Sequence, residues 1–282
     1  MPPGVKRWWK RLVRGYHRTF RAFTPADLGD ALRRLGVAPG DVLMVHSAFD
    51  SFLGFQGGPA DVVRVLQEAV GAGGTLLMPT IPFRGTAVEY ALSDPLFDVR
   101  RTASGMGLIT EVFRRWPGAV RSRHPTHSVA AWGRDAEALI AGHELAGTPC
   151  GRLTPYGRLL EYGGKILLMG VPPSTMTFCY FVAEELEPQL PVPVLTEESY
   201  PLRWTNGDGT VHVATLRLFS RSLDHDLTPL VRELRRRGHW RGRRVGRLSL
   251  ALLRAREVYD AARALARRGM FVRARRGDGA RS

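Results

Sequence analysis

The chain has 282 residues, of which 44% are hydrophobic, and it carries a formal net charge of +15 at pH 7. This length and apolar content suffice to bury one large core, which excludes a disordered chain as the default. The cysteines, Cys150 and Cys179, are too few for a disulfide framework and too widely spaced for a zinc ligand set. We therefore expect a cytoplasmic protein without a bound metal. No apolar run approaches the roughly 20 residues of a membrane-spanning helix.

The positive charge is concentrated at the two ends of the chain. Residues 1–21 carry seven Lys or Arg and no acidic residue, and residues 229–282 carry seventeen arginines against four acidic residues. The segment between them has a net charge of −5. Because a nucleic-acid enzyme would carry its basic residues around its cleft, this distribution argues against a nucleic-acid partner. The basic ends instead suit either a solvated surface or a peripheral contact with an anionic membrane or polymer.

The first half of the chain alternates between helical and strand patterns. The segment TPADLGDALRRLG (24–36) has an N-cap threonine, a proline at the first helical position and a terminal glycine, which predict a short helix. Residues 41–46 and 74–79 are continuous apolar runs typical of buried strands. Residues 58–70 between them have apolar positions at helical spacing. These three segments predict a β-α-β unit.

The alternation continues after this unit. We expect a helix over 107–116, strands over 128–133 and 164–170, and a hairpin over 203–219, where NGDG separates two alternating segments. Together these elements predict a layered α/β/α sandwich with a largely parallel central sheet and a small antiparallel β element.

The same patterns divide the chain into three parts. We expect a basic amphipathic segment over 1–23, a single α/β domain over 24–272 and a disordered basic tail over 273–282.

Polar residues follow the predicted strands at their carboxyl ends, where open α/β sheets bind ligands. His46 and Ser47 end the first strand, and Thr80 follows the second. Adjacent side chains on a strand point in opposite directions, so His46 and Ser47 are better placed as ligand contacts than as a base and its nucleophile. The segment RSRHPTHSVAAWG (121–133) adds two histidines, His124 and His127, whose role the residues alone leave open between chemistry and scaffold.

Three ordered blocks carry a resemblance to a known family. They read VHSAFDSFLGFQGGPADVVRVLQEAVGAGGTLLMPT, FDVRRTASGMGLITEVFRRWPGAVRSRHPTHSVAAWG and TPCGRLTPYGRLLEYGGKILLMGV, and GRLSLALLRAREVYDAARALARRG follows near the end. This sequence, from Leu28 to Val272, resembles the aminoglycoside 3-N-acetyltransferases. The resemblance implies an acetyl-CoA-dependent N-acetyltransferase with an α/β sandwich. It also implies direct attack on the thioester by an amine of an aminoglycoside or other amino sugar, without a metal.

The resemblance also implies residue roles. It places the acetyl-CoA site at the following residues: His46, Ser47, Arg121, Ser122 and Ser128. An arginine side chain and hydroxyl groups suit the phosphates of this co-substrate, because a guanidinium group can bind a phosphate through two hydrogen bonds. Thr80 matches a family hydroxyl near the thioester, where it could donate to the carbonyl oxygen as charge develops.

One block departs from the family pattern. Where the family has its general-base histidine, this chain reads STMTFCYFVAEEL (174–186), so the histidine falls on Tyr180 or Phe181, and Glu184 or Glu185 takes the acidic position. Tyrosine, with a reference pKa of about 10, is a poor base at neutral pH, and phenylalanine cannot act as one.

The departure leaves the proton acceptor open among these residues: His46, His124, His127, Tyr180 and Glu184. It also leaves open a second class of function, an inactive relative that binds acyl-CoA, a surface glycan or a lipid as an interaction module. The oligomeric state is not predicted.

Overall fold

A seven-stranded mixed sheet forms the centre of the computed structural model, which describes residues 22–221, 223–224 and 226–274. In chain order the helices are α1 Pro25–Leu35, α2 Pro59–Val70, α3 Ala87–Leu92, α4 Leu108–Phe113, α5 Ala136–Ile140, α6 Pro155–Glu161, α7 Phe178–Leu186, α8 Thr228–Arg236 and α9 Ala255–Ala266. The strands are β1 Val42–Ser47, β2 Thr75–Pro79, β3 Leu96–Asp98, β4 Val120–Arg121, β5 Val129–Gly133, β6 Lys165–Met169, β7 Leu195–Thr205, β8 His212–Phe219, β9 Leu223–Asp224, β10 Arg241–Val245, β11 Leu248–Arg254 and β12 Arg273–Ala274.

The strands of the large sheet lie in the order β10-β11-β6-β1-β2-β5-β4. The central strands β6, β1 and β2 pair in parallel, and the outer pairs are antiparallel. Only β11 and β5 run against the direction of the other strands of this sheet. The predicted α/β fold with a largely parallel sheet is therefore confirmed, with antiparallel strands at both edges.

Helices cover both faces of this sheet. Along β1, Val42 and Met44 pack into one hydrophobic core, which also holds residues of α5 to α9. Leu43 and Val45 pack into the core on the other face, with residues of α1, α2 and α4. This alternation follows from the two-residue period of a strand, and it explains why the predicted strands read as continuous apolar runs. The predicted α/β/α layering is confirmed.

The ends of α1 and α2 are fixed by their own sequence. The Thr24 hydroxyl accepts from the backbone N–H of Asp27 at 3.2 Å, and the Asp27 carboxylate accepts from the backbone N–H of Thr24 at 2.8 Å. Gly36 ends α1 with φ 109°, a conformation that favours glycine. At α2, the Asp61 carboxylate accepts from the backbone N–H of Gly58 at 2.7 Å. These caps hold both helices in register against the sheet.

A separate small sheet has the order β3-β7-β8. Strands β7 and β8 pair antiparallel across the NGDG segment, in which Gly207 and Gly209 have φ values of 79° and 90°. This confirms the predicted hairpin. The small sheet also includes β3, paired parallel to β7, which the sequence did not predict because three residues carry too short a pattern.

Both ends of the predicted domain need correction. Phe23, assigned from the sequence to the N-terminal segment, is buried and packs on Phe55 with ring centroids 5.1 Å apart. At the other end, Arg273–Ala274 were assigned to a disordered tail but pair with Leu223–Asp224 as β12 and β9. The rest of the predicted basic segment and tail lies outside the described residues. Within residues 22–221, 223–224 and 226–274, no helix is both long and apolar enough to cross a membrane.

Candidate active site

The carboxyl end of the central parallel strands gathers most of the polar residues that the sequence singled out. Strand β1 ends at Ser47, and β2 ends one residue before Thr80. Strand β5 runs in the opposite direction, so its first residue, Val129, lies opposite Pro79, and this brings Ser128 to the same edge. The strand-end argument therefore brings Ser47 and Thr80 to one edge of the sheet, and the reversed direction of β5 adds Ser128, which only the family resemblance had named.

Thr80, Arg121 and Ser128 form what we call the closed network, because their polar groups bind one another and nearby backbone. The Thr80 hydroxyl lies 3.1 Å from the Ser128 carbonyl oxygen, and the Ser128 hydroxyl lies 3.0 Å from the Thr80 carbonyl oxygen. Arg121 Nε lies 3.1 Å from each of the two hydroxyl oxygens. Each hydroxyl thus has a donor and an acceptor inside the protein.

The rest of the Arg121 guanidinium group also binds backbone. Nη1 donates to the carbonyl oxygens of Val99 and Thr102, at 3.3 and 2.6 Å, and Nη2 donates to that of Thr80 at 2.7 Å. The group lies 4.7 Å from the centroid of the Phe97 ring, and burial lowers the pKa of Arg121 to about 10. Three of its N–H donors are therefore already bound to carbonyl oxygens, although Arg121 also lines the larger cavity described below.

Ser122 and His143 form a second internal cluster. The Ser122 hydroxyl accepts from the backbone N–H of Val129 at 2.8 Å and lies 2.9 Å from His143 Nδ1. His143 Nε2 lies 3.3 Å from the Pro149 carbonyl oxygen, and burial lowers the pKa of His143 to about 3. The Ser122 hydroxyl is therefore bound inside the protein, while the residue also lines the larger cavity described below. Sequence reasoning missed His143, which lies in a loop without any strand-end signal.

His124 is completely buried against this cluster. Its ring stacks on that of His143 with centroids 4.3 Å apart, and its Nδ1 accepts from the backbone N–H of His127 at 3.0 Å. Burial holds the pKa of His124 well below its usual range, and the neighbouring His143 and His127 add to this effect. His124 is not among the residues that line the cavities of about 690, 170 and 500 Å³, so none of these three brings a substrate to its ring.

His46 and Ser47 differ from the closed network in their partners. Both are buried, yet His46 Nε2 and the Ser47 hydroxyl have no hydrogen-bond partner among the described residues. Burial lowers the pKa of His46 to about 4, so its ring is neutral at neutral pH. Buried polar atoms without a partner cost free energy, which makes these two the best-placed ligand contacts at this edge.

A cavity of about 170 Å³ lies beside this edge, with His127, Tyr180, Phe83 and Phe219 in its wall. The His127 ring centroid is 6.2 Å from that of Tyr180 and 5.4 Å from that of Phe219. Phe181, the other residue that could match the family histidine, is 1% exposed and belongs to the hydrophobic core. Tyr180 is therefore the residue of the two that faces the cavity.

Glu184 lies one helical turn after Tyr180 on α7. Its carboxylate accepts from the backbone N–H of Cys150 at 2.9 Å, and burial raises its pKa to about 7. Glu185, the alternative acidic residue, forms an ion pair with Arg152 at the surface. A carboxyl group that titrates near neutral pH can exchange a proton under physiological conditions, so Glu184 is the chemically suited residue of this pair.

A larger cavity, of about 690 Å³, lies along the outer edge of β4. Its lining includes Arg100, Arg114, Arg115 and Arg123. The last three of these arginines pair with carboxylates, Arg114 and Arg115 with that of Glu111. The cavity is therefore basic, because Glu111 and Glu144 supply only two negative charges to these three arginines. Arg121 and Ser122, which the sequence assigned to the acetyl-CoA site, also line it.

The fold and this edge define an α/β protein whose ligand-facing polar groups follow the strands of a mixed sheet. Within that class the chain belongs to the family described as Aminoglycoside 3-N-acetyltransferase, whose model matches residues 44–267.

Curated relatives agree with this assignment. Aminoglycoside N(3)-acetyltransferase III of Acinetobacter baumannii is 36% identical over 170 residues, which cover 56% of this chain and 59% of the relative. The protein of the same name from Serratia marcescens is 32% identical over 192 residues, which cover 64% of this chain and 70% of the relative. The match to the first of these relatives thus spans little more than half of its length.

Solved structures match over more of the chain. Aminoglycoside acetyltransferase AAC(3)-Xa has a TM-score of 0.78 at 27% identity, with 92% of this chain and 99% of that chain covered. A binary complex of AAC-IIIb with CoASH has a TM-score of 0.71 at 26% identity, covering 85% and 94%. AAC-VIa bound to sisomicin has a TM-score of 0.69 at 27% identity, covering 85% and 96%.

Proposed function

We propose that this protein is an acetyl-CoA-dependent N-acetyltransferase that acetylates an amine of an aminoglycoside or another amino sugar. The observation that carries the proposal is the family match over residues 44–267. Two structural relatives add to it, since one is a complex with CoASH and another is bound to sisomicin. The names of the curated relatives favour an enzyme over the alternative of an inactive binding module.

The residues at the carboxyl edge fit an acyl-CoA co-substrate. His46 Nε2 and the Ser47 hydroxyl are buried without partners among the described residues, and a bound thioester or its amide groups would supply those partners. Acetyl-CoA, when bound, supplies the carbonyl carbon to which the amine adds. The role of the protein in this step is to hold the two reactants together and to exclude water.

The surface next to the cavity of about 170 Å³, which we call the aromatic cavity, suits a cationic substrate that accepts the acetyl group. Glu197 and Glu198 on β7 line an open cavity of about 500 Å³ that shares Ser220 and Arg221 with the smaller one. Neither glutamate forms an ion pair within the described residues. Free carboxylates attract the ammonium groups of an amino sugar and raise its local concentration near the site. The body of the chain between the two basic ends is mildly acidic, which supports the same class of substrate.

The proton of the amine needs an acceptor, and by resemblance the family histidine falls on Tyr180 or Phe181 in this chain, of which only Tyr180 lines the cavity. We assign this role to Glu184, which lies one turn from Tyr180 and has a pKa raised to about 7 by burial. The ideal general base has a pKa near the working pH, and a positioned base contributes about 10²- to 10⁴-fold to the rate.

The test is acetylation of a panel of amines by the purified chain. An aminoglycoside with a free 3-amine, one without it and a simple amino sugar would each be mixed with acetyl-CoA. Release of CoASH would be followed by absorbance and the acetylated product by mass spectrometry. We expect turnover of at least one amine. A thermal shift with CoASH in the absence of any turnover would instead support the binding module and overturn the proposal.

A further inference from the structure

His127 is the imidazole that reaches the aromatic cavity, and its backbone is held on both sides. Its N–H donates to His124 Nδ1 at 3.0 Å, and its carbonyl oxygen accepts from the Tyr156 hydroxyl at 3.1 Å. The next residue, Ser128, belongs to the closed network. The ring itself is edge-on to Phe83 and Phe219, with centroid distances of 5.9 and 5.4 Å. The position of the imidazole is therefore fixed within apolar walls.

The hydrogen bonds around His127 determine which ring nitrogen carries its proton. The hydroxyl of Thr126 is fully buried and lies 3.1 Å from His127 Nδ1 and 3.3 Å from His124 Nδ1. His124 Nδ1 already accepts from a backbone N–H at 3.0 Å, and an imidazole nitrogen has one lone pair. A buried hydroxyl also needs an acceptor for its own proton, and with His124 Nδ1 already occupied we take that acceptor to be His127 Nδ1. His127 Nδ1 has no proton in this arrangement, so the proton of the neutral ring is on Nε2.

Nε2 is the ring nitrogen available to the cavity. His127 lines the cavity wall, and its Nε2 is not among the buried atoms that lack a partner, unlike Nε2 of His46 and of His124. Burial lowers the pKa of His127 to about 3, so the ring stays neutral at the pH where amines react. The site thus presents a neutral N–H donor to a substrate, and not a lone pair.

We infer that His127 donates a hydrogen bond from Nε2 to the acyl oxygen of the thioester and stabilises the negative charge that develops there, an inference that rests on the proposed function. The sequence assigned this role to Thr80, but the Thr80 hydroxyl is directed to the Ser128 carbonyl oxygen within the closed network. His127 is one residue away from that network and faces the cavity instead. A preorganised donor in a water-excluded site needs no reorganisation when charge appears.

The step balances without another reactant. The amine nitrogen forms a bond to the thioester carbon, and the C=O π electrons move to the oxygen, which accepts the hydrogen bond from His127. When the C=O bond re-forms, the C–S bond breaks and the CoA thiolate leaves. The amine nitrogen gives one proton to Glu184, and the thiolate takes up that proton, so the products are an amide and CoASH. His127 keeps its proton throughout.

Substitutions at His127 separate a donor from a base. In His127→Ala we expect kcat to fall by about 10²- to 10³-fold, the usual effect of removing one oxyanion donor. In His127→Gln, the side-chain amide keeps an N–H near the place of Nε2, so we expect kcat within about tenfold of the wild type. The Kd for CoASH should change little in both variants. A His127→Gln variant as slow as His127→Ala, with unchanged melting temperature, would overturn the donor role and favour a base.

Nitrogen-15 NMR of the histidine rings in the free protein supplies a readout that does not depend on activity. We expect His127 to show the Nε2–H tautomer from pH 6 to 8, and Thr126→Val to weaken that preference. The Nδ1–H tautomer in the wild type would overturn the inference, even if the protein acetylates amines. If no amine is acetylated, the proposed function fails, and with it the acyl-oxygen contact, while the NMR result still decides the tautomer.

Discussion

Two groups of buried polar side chains lie at the same edge of the sheet and behave differently. The closed network of Thr80, Arg121 and Ser128 has donors matched to acceptors inside the protein. His46 and Ser47, which we call the open pair, keep polar atoms without partners in the described part of the chain. The sequence resemblance assigned both groups to the same acetyl-CoA site. Position at a strand end therefore does not distinguish a residue that contacts a ligand from one that makes a structural hydrogen bond. The hydrogen-bond partners of the side chain inside the protein make that distinction.

The closed network has a structural role. Arg121 connects β4 to the segment between β3 and α4 through the Val99 and Thr102 carbonyl oxygens, and it connects to the end of β2 through Thr80. These carbonyl groups lie in irregular backbone that forms no ladder with the large sheet. One guanidinium group therefore supplies donors to three carbonyl oxygens in this irregular backbone. In the open pair, His46 Nε2 and the Ser47 hydroxyl have no such internal partner in the described part of the chain.

Replacing Arg121 is expected to give the largest effect. In Arg121→Ala, the half-buried carbonyl oxygens of Val99 and Thr102 lose a charged donor, so we expect the free energy of unfolding to fall by about 3 kcal/mol, measured by urea denaturation at pH 7. Arg115→Ala is the matched control, since Arg115 is 64% exposed and pairs with Glu111 at the surface; its loss should be below about 1 kcal/mol. If the Arg121→Ala protein had normal stability but no longer bound CoASH, Arg121 would be a phosphate contact as the sequence predicted, and its structural role would be contradicted.

The buried histidine behind the closed network should make folding sensitive to acid. The pKa of His143 is about 3 in the folded state, against 6.5 as its usual value. Between these values the unfolded chain binds the proton and the folded chain does not, so stability is full above pH 6.5 and falls as the pH drops. At pH 5 this histidine should account for about 2 kcal/mol of the loss. In His143→Gln, urea unfolding at pH 7 and pH 5 should show a smaller difference than in the wild type; an equal difference would contradict this.

Glu184 should give the opposite pH dependence. Its pKa is raised to about 7 from the usual 4.5, so between these values the folded state holds a proton that the unfolded state has released. Stability therefore falls as the pH rises from 4.5 to 7. Glu184→Gln can still accept from the Cys150 N–H, and we expect it to be about 1–2 kcal/mol more stable than the wild type at pH 8 but not at pH 4.5. The same variant should lose acetylation if Glu184 takes the proton. Glu185→Gln is the matched control and should change neither property.

Much of the fold follows from short-range patterns, because each element is specified locally. The strands over 41–46, 74–79 and 164–170 were predicted within a residue, since a strand buried on both faces is apolar at every position. The caps of α1 were read from Thr24, Pro25 and Gly36, and α2 was read from its apolar spacing. Strands β3, β4, β9 and β12 escaped prediction because two or three residues carry no period; only tertiary pairing defines them.

The site was predicted less completely, and for a different physical reason. The position of residues at strand ends indicated which side chains lie at one edge of the sheet. The hydrogen-bond partners of those side chains depend on backbone groups that are distant in the sequence. Nothing in the sequence near Arg121 indicates that the carbonyl oxygens of Val99 and Thr102 converge on it. The choice between Tyr180 and Phe181 likewise needed the packing of α7, because adjacent helix positions face different neighbours.

Replacing Ser47 is expected to change stability least, and it tests the comparison most directly. Ser47 and Ser122 were assigned to the same acetyl-CoA site, but we now expect Ser47→Ala to weaken CoASH binding and Ser122→Ala to lower stability. The Ser47 hydroxyl has no partner in the described residues, so Ser47→Ala should leave the free energy of unfolding within about 0.5 kcal/mol or raise it slightly. Its Kd for CoASH, measured by calorimetry, should rise about 3- to 10-fold, the value of one neutral hydrogen bond.

Ser122→Ala is the matched variant for Ser47→Ala. The Ser122 hydroxyl accepts from the Val129 N–H and lies 2.9 Å from His143 Nδ1, so its removal leaves two buried groups without a partner. We expect a loss of about 1–3 kcal/mol in stability with little change in the Kd for CoASH. The reverse pattern, in which Ser122→Ala weakens CoASH binding at normal stability and Ser47→Ala does not, would show that unpartnered atoms in the free protein do not mark its ligand contacts. In that case the assignment of the open pair would have to be abandoned, while the family and the fold would stand.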